Sequence, residues 1–186
     1  VRESSLFLPE VRSGVNRITI RHLDPGATAS WTVSPLPDGP LDLAYWDPLN
    51  AAQAKGFPLQ ACSARGTPLR IGERTFETGI GTLAPSYLEF PLQQRFERFE
   101  VTVGIDAVGR GRGNVVFSIF GDGQLLATSG PMTGFMPPQT LKIETMGSVS
   151  RLALRAINEK GEDAEGFADW VDARLYPKAR SPKAIE

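Results

Sequence analysis

Few side chains in this sequence could perform nucleophilic or zinc chemistry. The chain has 186 residues, with one histidine, His22, and one cysteine, Cys62. A Ser-His-Asp or Cys-His device needs a histidine beside a nucleophile, and no nucleophile signature adjoins His22. One histidine and one cysteine cannot complete a zinc site, and a single cysteine excludes an intramolecular disulfide. The sequence therefore argues against triad catalysis, zinc and a disulfide scaffold.

Acidic residues offer two other kinds of chemistry. Glu159, Glu162, Asp163 and Glu165 lie within one short segment. A pair of carboxylates can cleave a glycosidic bond, and carboxylates also bind calcium without strict spacing. Clustered acids in a loop are usually solvated surface, so an enzyme that uses them ranks below a binding function.

Two glycine-containing motifs need an interpretation. Gly79–Ala84 has the spacing of a dinucleotide-binding pattern, but a strand-like run follows it where that mechanism needs a helix. A tight turn is the better interpretation. Gly109–Gly113 reads Gly-Arg-Gly-Arg-Gly, which is a weak nucleic-acid signal in a chain of net charge −1. We expect a flexible loop there, with Arg110 and Arg112 at the rim of a ligand site, and no nucleic-acid partner.

Aromatic side chains could stack on a sugar ring, because the apolar face of a sugar packs against an aromatic face. The candidates are Tyr45, Trp46, Tyr87 and Trp170. Trp170 falls in a strand-like run, so core packing is favoured for it.

The patterning that must position these residues is typical of an all-β protein. Gly 19 and Pro 15 suit many short strands joined by turns. Phe99, Val101, Val103 and Ile105 alternate with more polar residues, which predicts a half-buried strand. Asp122-Gly123 predicts a hairpin turn. Leu41–Trp46 is expected to be a strand, and residues 50–55 one helical turn. The fold prediction is a jelly-roll-like antiparallel β-sandwich.

Composition divides the chain into three segments. A proline-rich linker ends an N-terminal hairpin and linker segment, residues 1–40, before the sandwich at 41–177 and a polar tail at 178–186. No apolar run approaches the length of a membrane span, so no membrane insertion is expected. The chain begins at Val1 without a methionine, and we interpret it as a piece of something longer.

Several motifs, taken together and in order, resemble the NPCBM family, also called carbohydrate-binding module family 51. They cover about residues 41–177 and include a Gly-Ile-Gly-Thr-His-Ala-Pro-Ser-type run and a closing Asp-His-Ala-Asp-Trp-type run. In this sequence the matching stretches are Leu41–Trp46, Pro68–Gly72, Gly79–Ser86, Phe99–Asp106, Gly113–Gly123, Ser129-Gly130 and Gly166–Leu175.

The resemblance implies a β-sandwich that binds carbohydrate, often galactose-containing glycans, without catalysis. It also implies a module of a larger extracellular or cell-surface protein, with a structural calcium in some members. Asp42 and Asp172, on the opening and closing strands, are the candidate calcium ligands. Leu83 and Phe167 stand where the family has histidine, and neither can make a histidine's polar contacts with a sugar hydroxyl.

Three hypotheses result. The first is a non-catalytic carbohydrate-binding module whose glycan contacts are Trp46, Arg110, Arg112 and Asp169. The second is a structural or protein-interaction sandwich that has lost its sugar and meets a neighbouring domain or subunit around Leu83 and Phe167. The third, ranked well below both, is an enzyme that uses acidic residues.

Overall fold

A computed structural model describes residues 39–159 and 166–178. The predicted N-terminal hairpin, the polar tail from residue 179 and most of the acidic segment (160–165) lie outside these residues. Within the described part, no helix is both long and apolar enough to cross a membrane.

The described chain is built almost entirely from strands. Two short 3₁₀ turns, Leu43–Tyr45 and Ala107–Gly109, interrupt them. The strands are β1 (Leu41–Asp42), β2 (Asn50–Gln53), β3 (Leu59–Gln60), β4 (Leu69–Ile71), β5 (Arg74–Phe76), β6 (Gly79–Ala84), β7 (Ser86–Pro91), β8 (Phe96–Ile105), β9 (Asn114–Gly121), β10 (Gln124–Thr133), β11 (Gln139–Ile143), β12 (Arg151–Asn158) and β13 (Gly166–Pro177).

Two antiparallel sheets face each other. Sheet A has the order β11-β8-β13-β6-β3, with β1 also paired to β13, and sheet B has the order β10-β9-β12-β7-β2. Between β6 and β9 the chain crosses from one sheet to the other after each strand, and β11, β12 and β13 alternate again. This confirms the predicted all-β, jelly-roll-like antiparallel sandwich.

The main core fills the space between the sheets. Phe99, Val101, Val103 and Ile105 all point into it, which confirms the alternation predicted for this strand. Trp170 is fully buried, as predicted, and its ring meets that of Phe117 edge-on with centroids 5.1 Å apart. Such an arrangement places the positive edge of one ring on the negative face of the other.

Two local predictions are wrong. The strand predicted at Leu41–Trp46 stops after Asp42, because Asp42 Oδ1 accepts the Ala44 N–H at 2.9 Å and starts a 3₁₀ turn. The helical turn predicted over 50–55 is strand β2, which pairs with β7 at the edge of sheet B. A single helical turn satisfies few of its backbone groups, so pairing with β7 prevails over local preference.

The predicted glycine turn is also wrong, since Gly79–Ala84 is strand β6. The glycines serve close packing instead: a Cβ on Gly81 would overlap backbone atoms of Cys62 and Ser63. The Thr82 hydroxyl donates to the Ala168 carbonyl at 3.0 Å, and the Ser86 hydroxyl donates to Thr82 Oγ1 at 3.0 Å. The motif therefore joins β6 to β13 through buried hydroxyl groups.

A β4–β5 hairpin covers the outer face of sheet A. Leu69, Ile71 and Phe76 form a second small core there with Val171. Gly104 on β8 has no Cβ where the Ile71 side chain lies against the sheet. The centre of sheet A is therefore buried on both faces.

Gly81→Ala should destabilise the domain by about 1–3 kcal/mol or more, since its methyl group meets backbone that cannot move aside cheaply. Urea denaturation measures the change. Gly39→Ala is the matched control, because a Cβ there has no atom within 4 Å, and it should stay within about 0.5 kcal/mol of the parent chain. Equal stability of the two variants would contradict the packing described for Gly81.

Candidate functional site

The loops at one end of the sandwich form the most exposed aromatic and cationic surface. We call this the loop end; it comprises residues 54–58, 106–113 and 134–138. These segments follow the last residues of β2, β8 and β10. In each case the strand end pairs with the beginning of an antiparallel neighbour: Gln53 with Ser86 of β7, Ile105 with Ala168 of β13, and Thr133 with Asn114 of β9. The three strands therefore end on the same side of the sandwich.

Phe135 packs on Gly111, the residue between the two predicted rim arginines in the sequence. Its ring packs over Gly111, at the place where a Cβ would be, and 86% of Phe135 is exposed. Arg110 is exposed in a left-handed conformation that ends the 3₁₀ turn, and the Arg112 Nε donates to the Gly109 carbonyl at 3.4 Å. The structure thus combines Arg110 and Arg112 with an exposed aromatic face that the sequence analysis did not select.

Leu83 and Phe167 lie side by side near this end. They are directly opposed partners on β6 and β13. Phe167 is only 4% exposed, and the Arg65 guanidinium carbon lies 4.8 Å from the centroid of its ring. The Leu83 N–H donates to Gln53 Oε1 at 2.9 Å. The two positions at which the resemblance leads us to expect histidine therefore form one largely buried apolar contact here.

Trp46 lies at the opposite end. Its ring is partly buried against the main core, with its centroid 5.8 Å from that of Phe96, the first residue of β8. Arg110 and Arg112 follow the last residue of β8, and ten extended residues span roughly 30 Å. Trp46 and the two arginines, predicted as parts of one site, cannot contact the same small sugar.

Asp169 is fully buried, which contradicts its predicted role as a glycan contact. It lies on β13 on the same face as Val171, beneath the segment that leads into the β4–β5 hairpin. Its neighbour Asp106 is 1% exposed and accepts the N–H groups of Arg70 at 3.0 Å and Val108 at 2.7 Å. Both oxygens of Asp169 are without a donor. Asp106 fixes the hairpin to the sheet through Arg70, and neither carboxyl group offers surface to a ligand.

Burial raises the pKa of Asp169 well above its ordinary value, and the adjacent Asp106 carboxyl group raises it further. Two ionised carboxylates cannot donate a hydrogen bond to each other, whereas a protonated Asp169 can donate one to Asp106. The physical cause is the cost of placing a charge in a low-dielectric interior beside a like charge.

This pKa shift predicts a pH-dependent stability difference for Asp169→Asn. Between the ordinary and the raised pKa the native state holds a proton that the unfolded state has lost, so parent stability falls as pH rises through this window. The asparagine side chain has no such proton to lose. The melting temperature of the variant minus that of the parent should therefore become more positive from about pH 4 to about pH 8. Asp47→Asn, at an exposed position, should show no such trend, and a pH-independent difference for Asp169→Asn would contradict the assignment.

The calcium candidates Asp42 and Asp172 lie on paired strands but flank a cation. Asp42 is opposite Arg174 in the β1–β13 register, and Asp172 Oδ1 lies 3.7 Å from Arg174 Nη2. Among residues 39–159 and 166–178, no three His, Cys, Asp or Glu side chains are grouped so that they could hold a metal ion. Arg174 therefore places a positive charge beside this pair, which disfavours calcium there, and calcium stays a prediction.

Phe135 is the loop-end residue that the sequence reasoning missed. It stands in a Gly-Phe-Met-Pro-Pro run between two strands. A large apolar side chain in such a run has no strand or helix to bury it. This pattern in the sequence could have indicated an exposed aromatic side chain. Phe57, which is 79% exposed, occupies a comparable loop between β2 and β3.

The architecture and the exposed loop end define the class as a carbohydrate-binding-module-type β-sandwich. The family model described as the NPCBM/NEW2 domain matches residues 42–176. This match covers most of the chain, which therefore belongs to the NPCBM family.

The curated relatives are far longer than this chain. One, named "Putative endo-alpha-N-acetylgalactosaminidase", from Renibacterium salmoninarum, is 29% identical over 134 residues, which are 72% of this chain and 9% of the relative. Another, alpha-1,3-galactosidase B of Akkermansia muciniphila, is 30% identical over 106 residues, which are 56% of this chain and 13% of the relative. The chain thus corresponds to a small part of each enzyme.

A solved relative covers the same unit almost completely. It is the family 51 carbohydrate-binding module of the family 95 glycoside hydrolase of Clostridium perfringens, in complex with methyl-galactose. It is 25% identical with a TM-score of 0.66, and the alignment covers 73% of this chain and 99% of that one.

Proposed function

We propose that this chain is a non-catalytic module that binds galactose-type glycans at the loop end, within a larger extracellular or cell-surface protein. The observation that carries the proposal is the exposed Phe135 ring beside Arg110 and Arg112. Support for the sugar class comes from the similar module solved with methyl-galactose and from the relatives' names, which refer to galactose or N-acetylgalactosamine.

The proposed contact uses the two chemically different faces of a hexose. Galactose presents a patch of C–H groups on one face, and an exposed aromatic ring can pack against it. Guanidinium groups donate several hydrogen bonds from a planar fork, which suits sugar hydroxyls at the ring edge. Arg110 and Arg112 flank Gly111, over which the Phe135 ring lies. Stacking and hydrogen bonding would therefore act on one sugar.

The apolar pair Leu83–Phe167 sets the expected specificity. Neither side chain can donate to or accept from a hydroxyl group, and Phe167 is covered by Arg65 and lies near Gly109. Polar recognition at the loop end therefore falls to arginines. We expect a glycan preference different from that of a module with histidines at both positions.

The second candidate function is a protein-interaction module, favoured by the exposed apolar side chains Phe57, Phe135 and Met136. The chain spans 9% and 13% of the two curated relatives, so neighbouring domains are expected partners. A glycan array separates the two functions. Defined galactose-containing hits support the glycan module, whereas no hits from a folded, monodisperse chain support the interaction module.

Phe135→Ala should weaken binding of methyl-galactoside or a galactose-terminated array hit by about 10-fold, because stacking on one aromatic ring contributes roughly 1 kcal/mol or more. Calorimetry or NMR titration measures this loss. Trp46→Ala is the matched aromatic control: it removes packing against Phe96 and should lower the melting temperature while leaving affinity unchanged. Loss of affinity in Trp46→Ala with none in Phe135→Ala would move the site to the opposite end.

Calcium remains a prediction from the family resemblance, and it has its own test. Melting temperatures are compared in excess calcium chloride and in excess chelator. A calcium-dependent rise would establish a site, since a ligand that binds only the native state raises stability. Asp42→Asn should leave any such rise unchanged, because Arg174, opposite Asp42 in the strand register and 3.7 Å from Asp172, already places a positive charge beside this pair. Loss of the rise in Asp42→Asn would contradict this geometry.

A further inference from the structure

The outer face of sheet B carries a groove that is separate from the loop end. Its volume is about 590 Å³, which is within the range of small-molecule sites. Strands β7, β12 and β9 form its floor. The aromatic and charged side chains that line it are Tyr87, Glu89, Phe120, Asp122, Arg151 and Arg155.

The middle of the groove floor is a small residue. Ala153 on β12 is opposed on one side by Glu89 and on the other by Phe120. In the next outward-facing row, Arg155 is opposed by Tyr87 and by Ser118. The alanine methyl group leaves space between larger side chains, because residues two apart on a strand point to the same face.

Three of the four charged groups in the groove are already matched. Glu89 accepts from Asn50 Nδ2 at 2.6 Å and from Arg151 Nη1 at 3.2 Å. The hydrogen bond from Asn50 lowers the pKa of Glu89, although burial opposes it. Asp122 accepts the backbone N–H groups of Ser150 at 3.0 Å and Arg151 at 2.9 Å, through one oxygen each.

Arg155 is the charged group of the groove to which the described residues give no charged partner. Within the described ranges, 39–159 and 166–178, no carboxylate lies within ion-pair distance of its guanidinium group. An arginine presents a planar fork that pairs with a carboxylate through two parallel hydrogen bonds. The groove therefore has one cationic position whose chemical complement, a carboxylate, is not supplied by the described residues.

We propose that this groove is a second binding site, specific for a saccharide that carries a carboxylate, such as a uronic acid or a sialic acid. The carboxylate pairs with Arg155, and the sugar ring lies over Ala153 between Tyr87 and Phe120. Tyr87 is 38% exposed, so its ring and hydroxyl group are available to the ligand. The Glu89–Arg151 pair marks the far side of the site and offers hydrogen bonds to hydroxyl groups.

Charge and shape together favour this occupant over others. A neutral sugar would leave the guanidinium without a partner, and an inorganic anion would leave the Tyr87–Phe120 cleft unfilled. The groove lies on a sheet face and contains neither Phe135 nor the two loop-end arginines. The second site is therefore independent of the galactose site, and either can fail without the other.

The test is an NMR titration of the full 186-residue chain with two pairs of probes that differ in the acidic group. These are α2,3-sialyllactose against lactose, and methyl β-glucuronide against methyl β-glucoside. We expect at least one acidic probe to bind with amide shifts along β7, β12 and β9, and its neutral partner not to produce those shifts. Arg155→Ala should weaken the acidic probe by about 10-fold or more, since a charge-assisted pair is lost.

Arg74→Ala is the matched control, because Arg74 is an exposed arginine on the hairpin that covers sheet A, and it should change nothing. Phe135→Ala should also leave acidic-probe binding unchanged while it weakens galactoside binding. The proposal is overturned if neither acidic probe binds at millimolar concentration, if Arg155→Ala binds like the parent chain, or if acetate alone produces the same shifts. Circular dichroism of each variant confirms that these comparisons are made on folded protein.

Discussion

Both faces of the first half of strand β13 are buried, and the rest of the structure depends on this constraint. Over this half, Ala168 and Trp170 point into the core between the sheets, and Asp169 and Val171 point to the covered outer face of sheet A. A strand that is covered on both sides needs neighbours that approach closely, which explains why Gly81 and Gly104 adjoin it on β6 and β8. The buried side chains of β13, including Trp170, consequently stabilise the fold and are not available to a ligand.

Covering sheet A restricts where a ligand can bind. Two candidate surfaces lie in the described part of the chain: the loop end, with an exposed aromatic ring on Gly111, and the outer face of sheet B, with a groove over Ala153. The loop end presents side chains from loops whose lengths and sequences can change without disturbing strand pairing. The groove instead uses side chains fixed by strand register. One sandwich can therefore hold an adaptable site and a rigid one.

Leu83 and Phe167, the two departures from the expected family motif, are neighbours in the structure. They oppose each other across β6 and β13, so the two positions at which the resemblance leads us to expect histidine form one apolar contact. Backbone groups at both positions keep their bonds, since the Leu83 N–H still has Gln53 as acceptor and the Phe167 carbonyl accepts from Asp106. The strand pairing therefore does not depend on polar side chains at these two positions, so membership of the family does not by itself identify the ligand.

The sequence alone determined the strand inventory from β8 onward, the buried Trp170 and the family, because alternation and turn residues are local signals. It could not place Trp46 and Arg110 at opposite ends of β8, bury Asp169 beside Asp106, or bring Phe135 onto Gly111. Each of those facts depends on residues that are distant in sequence and meet only when strands pair and loops pack. The predictions for the short segments were wrong for the same reason. Asn50–Gln53 is a strand because it pairs with β7, and Gly79–Ala84 is a strand because it pairs with β13.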